Sequence, residues 1–312
     1  MTGPAEQSPP PAGRQHEIRH GDQVAVVCEV GATLRRYAAG GEEVLDGFDV
    51  ADRSTAGRGQ ILAPWPNRLD GGRYTFEGRE GRAALDEPEA GNAIHGLVRW
   101  LPWRAVSQDE HAVELACVVP PQPAYPWRVE LGVEYRLSGD GLAVSARATN
   151  ASDAACPFGI GFHPYVRAGE GVVDTATLAV PAGRRLVSDE RGLPVGDETV
   201  AGTAFDFREP RPIADTKLDT AFTDLAVDTD GRARVEVRGD AGRGVDLWAG
   251  PEFGYLMVYT GDTLDPESRR RRGVAIEPMT CPPNALRTGT DLIRLAPGES
   301  WQGDWGIQPR GT

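Results

Sequence analysis

The segment Arg128–Leu137 alternates without a break. Val129, Leu131, Val133, Tyr135 and Leu137 fall on one side, and Arg128, Glu130, Gly132, Glu134 and Arg136 on the other. A helix repeats its faces about every 3.6 residues, so a period of two held this long makes a strand with one buried and one wet face. Ser138-Gly139-Asp140-Gly141 is turn chemistry, and Leu142–Asn150 runs back with Leu142, Val144, Ala146 and Ala148 inward. The same device recurs along the chain. Gln23–Val30 and Thr33–Ala39 read as neighbouring strands. Arg73–Phe76 and Arg79–Leu85 read as a hairpin about Glu77-Gly78, and Arg232–Arg238 and Val245–Trp248 as another about Gly239–Gly244. Leu292–Leu295 and Trp301–Ile307 read as a last hairpin. No long stretch carries a helical period and no strand–helix alternation is present. The expected fold is all-β: a large antiparallel β-sandwich with two sheets face to face.

Residues 1–15 are rich in Pro, Gly and Ser and almost free of large apolar side chains, so a disordered N-terminal tail is expected there. Residues 16–312 are expected to form a single domain, with no interior linker. The formal net charge of −13 disfavours nucleic acid and anionic membrane as partners. No apolar run approaches the length of a membrane-spanning helix, and the N-terminus lacks the apolar core of a secretory signal. Cys28, Cys117, Cys156 and Cys281 are far apart and form no CxxC pair, which fits buried free thiols in a reducing cytoplasm rather than a metal site.

Two regions carry candidate chemistry. In Gly273–Leu286, Val274–Ile276 reads as a short buried strand, ended by Glu277 and stopped by Pro278, which has no N–H to give the ladder. A carboxylate held at the end of an apolar strand is poorly solvated, and that raises its pKa and suits it to act as a base. The ordinary alternatives are a strand-end glutamate facing water, or an ion-pair partner for Arg269–Arg272. His95 in Asn92–Gly96 and His163 in Phe158–Tyr165 each follow a short apolar run and precede a turn-former or proline. A glutamate base and a histidine acid at strand ends suit proton transfer at two oxygens of one small substrate. In Gly57–Asp70, Pro64 and Pro66 flank Trp65 and bar a central strand; Asn67 and Arg68 follow, and an arginine there can orient a polyol. Trp65, Trp100, Tyr165 and Phe253 are candidates for stacking on a sugar face.

Five segments, in order along the chain, resemble the aldose 1-epimerase (galactose mutarotase-like) family. They are Pro64–Arg68 (PWPNR), Asn92–Gly96 (NAIHG), Gly161–Tyr165 (GFHPY), Leu218–Phe222 (LDTAF) and Ala275–Leu286 (AIEPMTCPPNAL). The resemblance implies a galactose mutarotase-like supersandwich with an open sugar cleft on one sheet. It implies Glu277 as the base at the C1 hydroxyl, His163 as the acid at the ring oxygen, and His95 as a helper at both. It implies that Arg68 and Asp219, with Asn67, Trp65 and Tyr165 nearby, contact the sugar. No metal, nucleotide or organic cofactor is implied.

The expected activity is interconversion of the α and β anomers of a free aldohexose such as glucose or galactose, by a cytoplasmic monomer or weak homodimer with a small sugar as its only partner. Arg99 and Arg104, near Trp100 and Trp103, keep open an anionic hexose, phosphorylated or sulfonated. A non-catalytic carbohydrate-binding protein needs no acid–base pair. A glycoside hydrolase built on Asp219 and Glu277 leaves His163 without a task.

Overall fold

The computed structural model describes residues 9–239 and 242–311. Two large antiparallel sheets dominate it. The nine-stranded sheet is built around the segment that alternates most strictly. Val129–Ser138 pairs with Gly141–Asn150 in the register Leu137↔Leu142, and Gly141–Asn150 pairs in turn with Ser300–Arg310. In the eight-stranded sheet, Pro194–Thr199, Ala182–Ser188, Asp219–Leu225, Tyr255–Tyr259 and Val274–Met279 lie side by side, followed by the short strands Gly161–Phe162 and Ile61–Leu62. The inner faces of the two sheets meet in one continuous core, where Leu131, Val133 and Trp305 from one sheet join Phe222, Val258, Ile276 and Phe162 from the other. The Phe162 and Trp305 rings sit 5.1 Å apart across that boundary. The all-β antiparallel architecture expected from period two is the one observed.

Several local expectations change. Gln15 opens the first strand, paired with Cys28, so the last residue assigned to a tail is part of a sheet. Ahead of it, the Gly13 N–H donates to the Pro10 carbonyl and the Arg14 N–H to a Glu29 carboxylate oxygen, and Ala12 is buried. The part of the expected tail before residue 9, and the tip of the turn expected at Gly239–Gly244, fall outside the described residues. Ile293–Leu295 and Ser300–Arg310 do not form a hairpin. The first pairs with Cys156–Phe158 and the second joins the nine-stranded sheet, because the Ala296–Glu299 turn carries the chain away from its own partner.

Pro278 does not stop its strand. Val274–Met279 runs through it, with Leu256↔Pro278 and Tyr255↔Met279 as partners. The N–H groups of Ile276 and Thr280 donate to the Pro164 and Ile160 carbonyls, so position 278 faces the chain between Gly161–Phe162 and Tyr165–Val166. The ladder is already interrupted there by His163 and Pro164, and a missing donor costs little at a break.

Candidate active site

Period two decides which side chains enter the cleft. Along Val274–Met279, Val274 and Ile276 join the main core, while Ala275 and Met279 belong to small clusters on the opposite face, and Glu277 lies between them on that face. The neighbouring strands follow suit. Leu256, Val258 and Phe222 face the core, whereas Met257 and Ala221, in line with Glu277, face the cleft with Tyr259 and Asp219. The outer face of the eight-stranded sheet is therefore the floor of a concavity of about 320 Å³. Glu277, His163, His95, Asn67, Arg68, Tyr165 and Asp219 all line it, joined by Glu87 and Arg99.

Glu277 is 2% exposed and His163 is 5% exposed. Glu277 Oε1 lies 3.2 Å from His163 Nε2, and Glu277 Oε2 has no hydrogen-bond partner among the described residues. Burial, helped by the negative charge of Asp219 and opposed by Arg68, pushes the Glu277 carboxyl well above the usual carboxylate range. Burial, helped by the Arg58 guanidinium, pushes the His163 imidazole down to about 3. The pair is therefore biased to keep its shared proton on the carboxyl side. Neither ordinary alternative for Glu277 holds: it does not face water, and Arg269 and Arg272 are turned to Asp46.

His163 is held from both sides. Its ring stacks on Tyr165 at 5.0 Å with the planes 16° apart, and the Tyr165 hydroxyl donates to the Ala56 carbonyl at 3.0 Å. On the other side lies Gly57, with φ +73°, where a Cβ would stand 2.4 Å from imidazole Cδ2. Arg58 lies over the Tyr165 ring at 4.6 Å and is itself paired with buried Asp46 at 3.1 Å. Tyr165 is 1% exposed, so the expectation that it stacks on a sugar is replaced by a supporting role beneath the imidazole.

His95 and Asn67 both adopt positive φ, +62° and +54°, and fix each other. The His95 N–H donates to the Asn67 carbonyl at 2.9 Å, and the Asn67 N–H donates to His95 Nδ1 at 3.2 Å. Burial and the neighbouring His163, Arg99 and Arg68 keep the His95 ring neutral. With Nδ1 accepting, its single proton is on Nε2. The ring meets His163 edge to face, centroids 5.4 Å apart.

Arg68 makes a two-pronged contact with Glu87, 2.9 Å from Nε to Oε2 and 3.3 Å from Nη2 to Oε1, and its Nη1 reaches Asp219 Oδ2 at 3.7 Å. Asp219, 53% exposed in its side chain, forms the rim. Asn67 Oδ1 accepts from the Arg68 N–H, which ties the side chain to its own loop.

Trp65 does not reach the cleft. It is 2% exposed and packed in the main core, because the two flanking prolines turn it inward. Phe253 is likewise core, Trp100 is an exposed side chain, and Arg104 lies at the far edge of the other sheet. The cleft members that sequence reasoning missed are Gly57, Glu87 and the Tyr259–Asp265 wall. Glu87, in a loop of mixed acids, carried no signal that could have singled it out; Gly57 carried only its residue type. Among the described residues no group of three or more His, Cys, Asp or Glu side chains is arranged to hold a metal ion.

The sequence profile of the aldose 1-epimerase family matches residues 14–308. The chain belongs to the aldose 1-epimerase family. It is thereby an isomerase. The Escherichia coli protein YihR is 30% identical over 296 residues, covering 92% of this chain and 91% of its own. An Escherichia coli aldose 1-epimerase is 28% identical over 211 residues, 65% of this chain and 60% of its own. Among solved structures, the GalM/aldose epimerase homologue of C. elegans superposes with a TM-score of 0.83 at 18% identity, covering 95% of this chain and 98% of that one, a likeness of fold. Within the described part of this epimerase, no helix is long and apolar enough to cross a membrane.

Proposed function

We propose that this epimerase interconverts the α and β anomers of a free aldohexose, with Glu277 and His163 as the proton-transfer pair. The observation that carries the reading is the 3.2 Å contact between a buried carboxyl pushed up and a buried imidazole pushed down, at the floor of a cleft of about 320 Å³. Ring opening needs a base at the C1 hydroxyl and an acid at the ring oxygen, two oxygens borne by one carbon. Two adjoining groups sharing one proton meet that need.

The proton inventory closes on itself. Moving the shared proton from Glu277 to His163 Nε2 gives a carboxylate and an imidazolium. Glu277 then takes the C1 hydroxyl proton, the bond from C1 to the ring oxygen breaks, and His163 protonates that oxygen. The aldehyde now faces a carboxylic acid and a neutral imidazole, the resting state of the pair. After rotation about C1–C2, Glu277 returns its proton to the carbonyl oxygen as His163 takes one from the attacking hydroxyl, and the other anomer forms. His95, proton on Nε2, supplies a neutral donor to the oxygen that changes charge. Arg68, Asn67 and Asp219 hold hydroxyls at the far end of the ring.

One observation favours a second reading, an anionic hexose. Arg99 lines the cleft with its Nε buried and without a hydrogen-bond partner among the described residues, and it pairs at 2.6 Å with Asp86, which does not line the cleft. A phosphate or sulfonate near Arg99 would fill that gap. We place the protein in the cytoplasm as a monomer or weak homodimer, a setting in keeping with four buried, unpaired cysteines. NMR exchange or polarimetry on fresh single anomers of glucose, galactose and a 6-phosphorylated hexose tests both readings. Acceleration of a neutral hexose supports the first, acceleration of the anionic sugar alone supports the second, and acceleration of none refutes both.

A further inference from the structure

Beside the stacked rings of His163 and Tyr165 lies a buried ion cluster. The Asp46 carboxylate meets three guanidiniums: Arg58 at 3.1 Å, Arg269 at 3.0 Å and Arg272 at 3.9 Å. One carboxylate cannot neutralise three cations, so the cluster keeps a net positive charge. The Arg269 and Arg272 side chains are 25% and 40% exposed and are screened by water, whereas Arg58 is 4% exposed. Arg58 Nη1 donates to the Thr55 carbonyl at 3.2 Å, and Arg58 Nε has no hydrogen-bond partner among the described residues. A buried cation with an idle donor is costly, and an apolar side chain would fill the same space without that cost. We propose that Arg58, clamped by Asp46, is a positioning residue for the acid: it steadies the Tyr165 ring against the His163 imidazole, and its charge keeps the resting proton of the pair on Glu277.

The backbone ties this clamp to the acid. The guanidinium lies 4.6 Å from the centre of the Tyr165 ring, which stacks on the imidazole at 5.0 Å. The Asp46 N–H donates to the Tyr165 carbonyl at 2.9 Å, and the N–H of Gly59, next to Arg58, donates to the His163 carbonyl at 2.8 Å. Both members of the ion pair are thereby fastened to the segment that carries His163. Arg58 also follows Gly57 directly, the residue whose missing side chain leaves room for the imidazole.

The groups that face the imidazole are Glu277 from Val274–Met279, His95 and Arg99 from the chain around Gly96, Tyr165 on its own segment, and Arg58. His95 is neutral, and Arg99 is shared with Asp86. After burial itself, Arg58 acts most strongly against a charge on His163, with Arg99 behind it. A cation in so dry a setting favours the neutral form of the pair, carboxyl beside imidazole, over carboxylate beside imidazolium. The imidazolium formed during turnover is correspondingly eager to give its proton to the ring oxygen.

The inference rests on the acid–base reading above, and its first readout needs no turnover. At neutral pH, the infrared difference between wild type and Glu277→Gln is expected to show the carbonyl band of a protonated carboxyl. The nitrogen resonances of His163, identified by their loss in His163→Asn, are expected to be those of a neutral ring. Arg58→Met leaves Asp46 paired with Arg269 and Arg272. In that variant the carboxyl band should weaken, the His163 nitrogens should shift toward imidazolium, and kcat should fall about tenfold or more with KM within about twofold. Arg58→Lys, which returns a charge, should restore the band and part of kcat. Arg58→Gln, which can still hydrogen-bond to Asp46, takes the place of Arg58→Met where that variant does not fold. Wild-type spectra in a folded, uncharged variant overturn the inference, as does absence of the carboxyl band from wild type. Equal loss of kcat in the Lys and Met variants overturns it too, because Arg58 would then act by packing alone. If wild type accelerates no sugar, the epimerase reading itself fails, and the spectra still decide where the proton rests.

Discussion

Gly57→Ala should disable the acid without touching the base. The new Cβ would stand 2.4 Å from His163 Cδ2 and 2.9 Å from Nε2, against a comfortable separation of about 3.5 Å. Something must move by about 1 Å, and the options are few. The imidazole is backed by the Tyr165 ring at 5.0 Å, and Tyr165 is tethered through its hydroxyl to the Ala56 carbonyl at 3.0 Å. The ring therefore slides in its own plane and leaves the 3.2 Å contact with Glu277. A misplacement of about 1 Å in a proton-transfer group costs on the order of 10²-fold in kcat. KM should change far less, because Arg68 and Asp219 are undisturbed. Alanine at φ +73° also costs about 1–2 kcal/mol whatever its surroundings. Gly202→Ala is the control, since Gly202 has the same φ of +73° and open space around its would-be Cβ. Both variants should lose a few degrees of melting temperature, and only Gly57→Ala should lose turnover, read by anomer exchange under saturating sugar. Equal kcat in the two variants would refute the claim that His163 placement limits the reaction.

Two further outcomes follow from burial. Glu277→Gln should melt higher than wild type, by a margin that widens from mildly acidic to alkaline pH. The wild-type carboxyl has a folded pKa raised above its unfolded value, so its stabilising contribution is complete below the unfolded value and is lost as pH rises through the folded one, whereas the amide does not titrate. A margin that shrinks with pH in calorimetry would contradict the buried carboxyl. Trp65→Ala should cost about 3–5 kcal/mol of stability as a core truncation, measured by denaturant unfolding, while Trp65→Phe should leave the KM for sugar within about twofold. A large KM effect of Trp65→Phe would return Trp65 to the sugar site.

Much of the fold was legible because one physical signal, period two, wrote it: the Val129–Ser138 and Gly141–Asn150 pair was readable almost to the residue. The same signal failed where strands are buried on both sides or very short. Ile61–Leu62, Gly161–Phe162 and Tyr165–Val166 are two residues each, too short for any periodicity, yet the last two pair with the catalytic strand and the first pairs with Gly161–Phe162. Pro278 misled because a proline rule is a rule about hydrogen bonds, and the partner that would have missed its N–H had already left the ladder. Glu277 and His163 stood out from their local settings, and the structure brings them into contact. Tyr165 and Trp65 were assigned to sugar by residue type, but type does not report that Tyr165, on the cleft face, lies covered beneath His163, or which side of a proline pair Trp65 turns to. Glu87 and Gly57 act through placement alone, 19 and 106 residues from the groups they hold, Arg68 and His163, and no local pattern encodes such a meeting.

The most direct test of the central claim is one-dimensional exchange spectroscopy at the anomeric protons of a hexose that the wild-type chain turns over, repeated with Glu277→Gln at matched concentration. Loss of a buried general base is expected to lower kcat by about 10²–10⁴-fold, while sugar binding, followed by calorimetry, persists. Full exchange in a correctly folded Glu277→Gln protein would contradict the account, because the base would then be some other group.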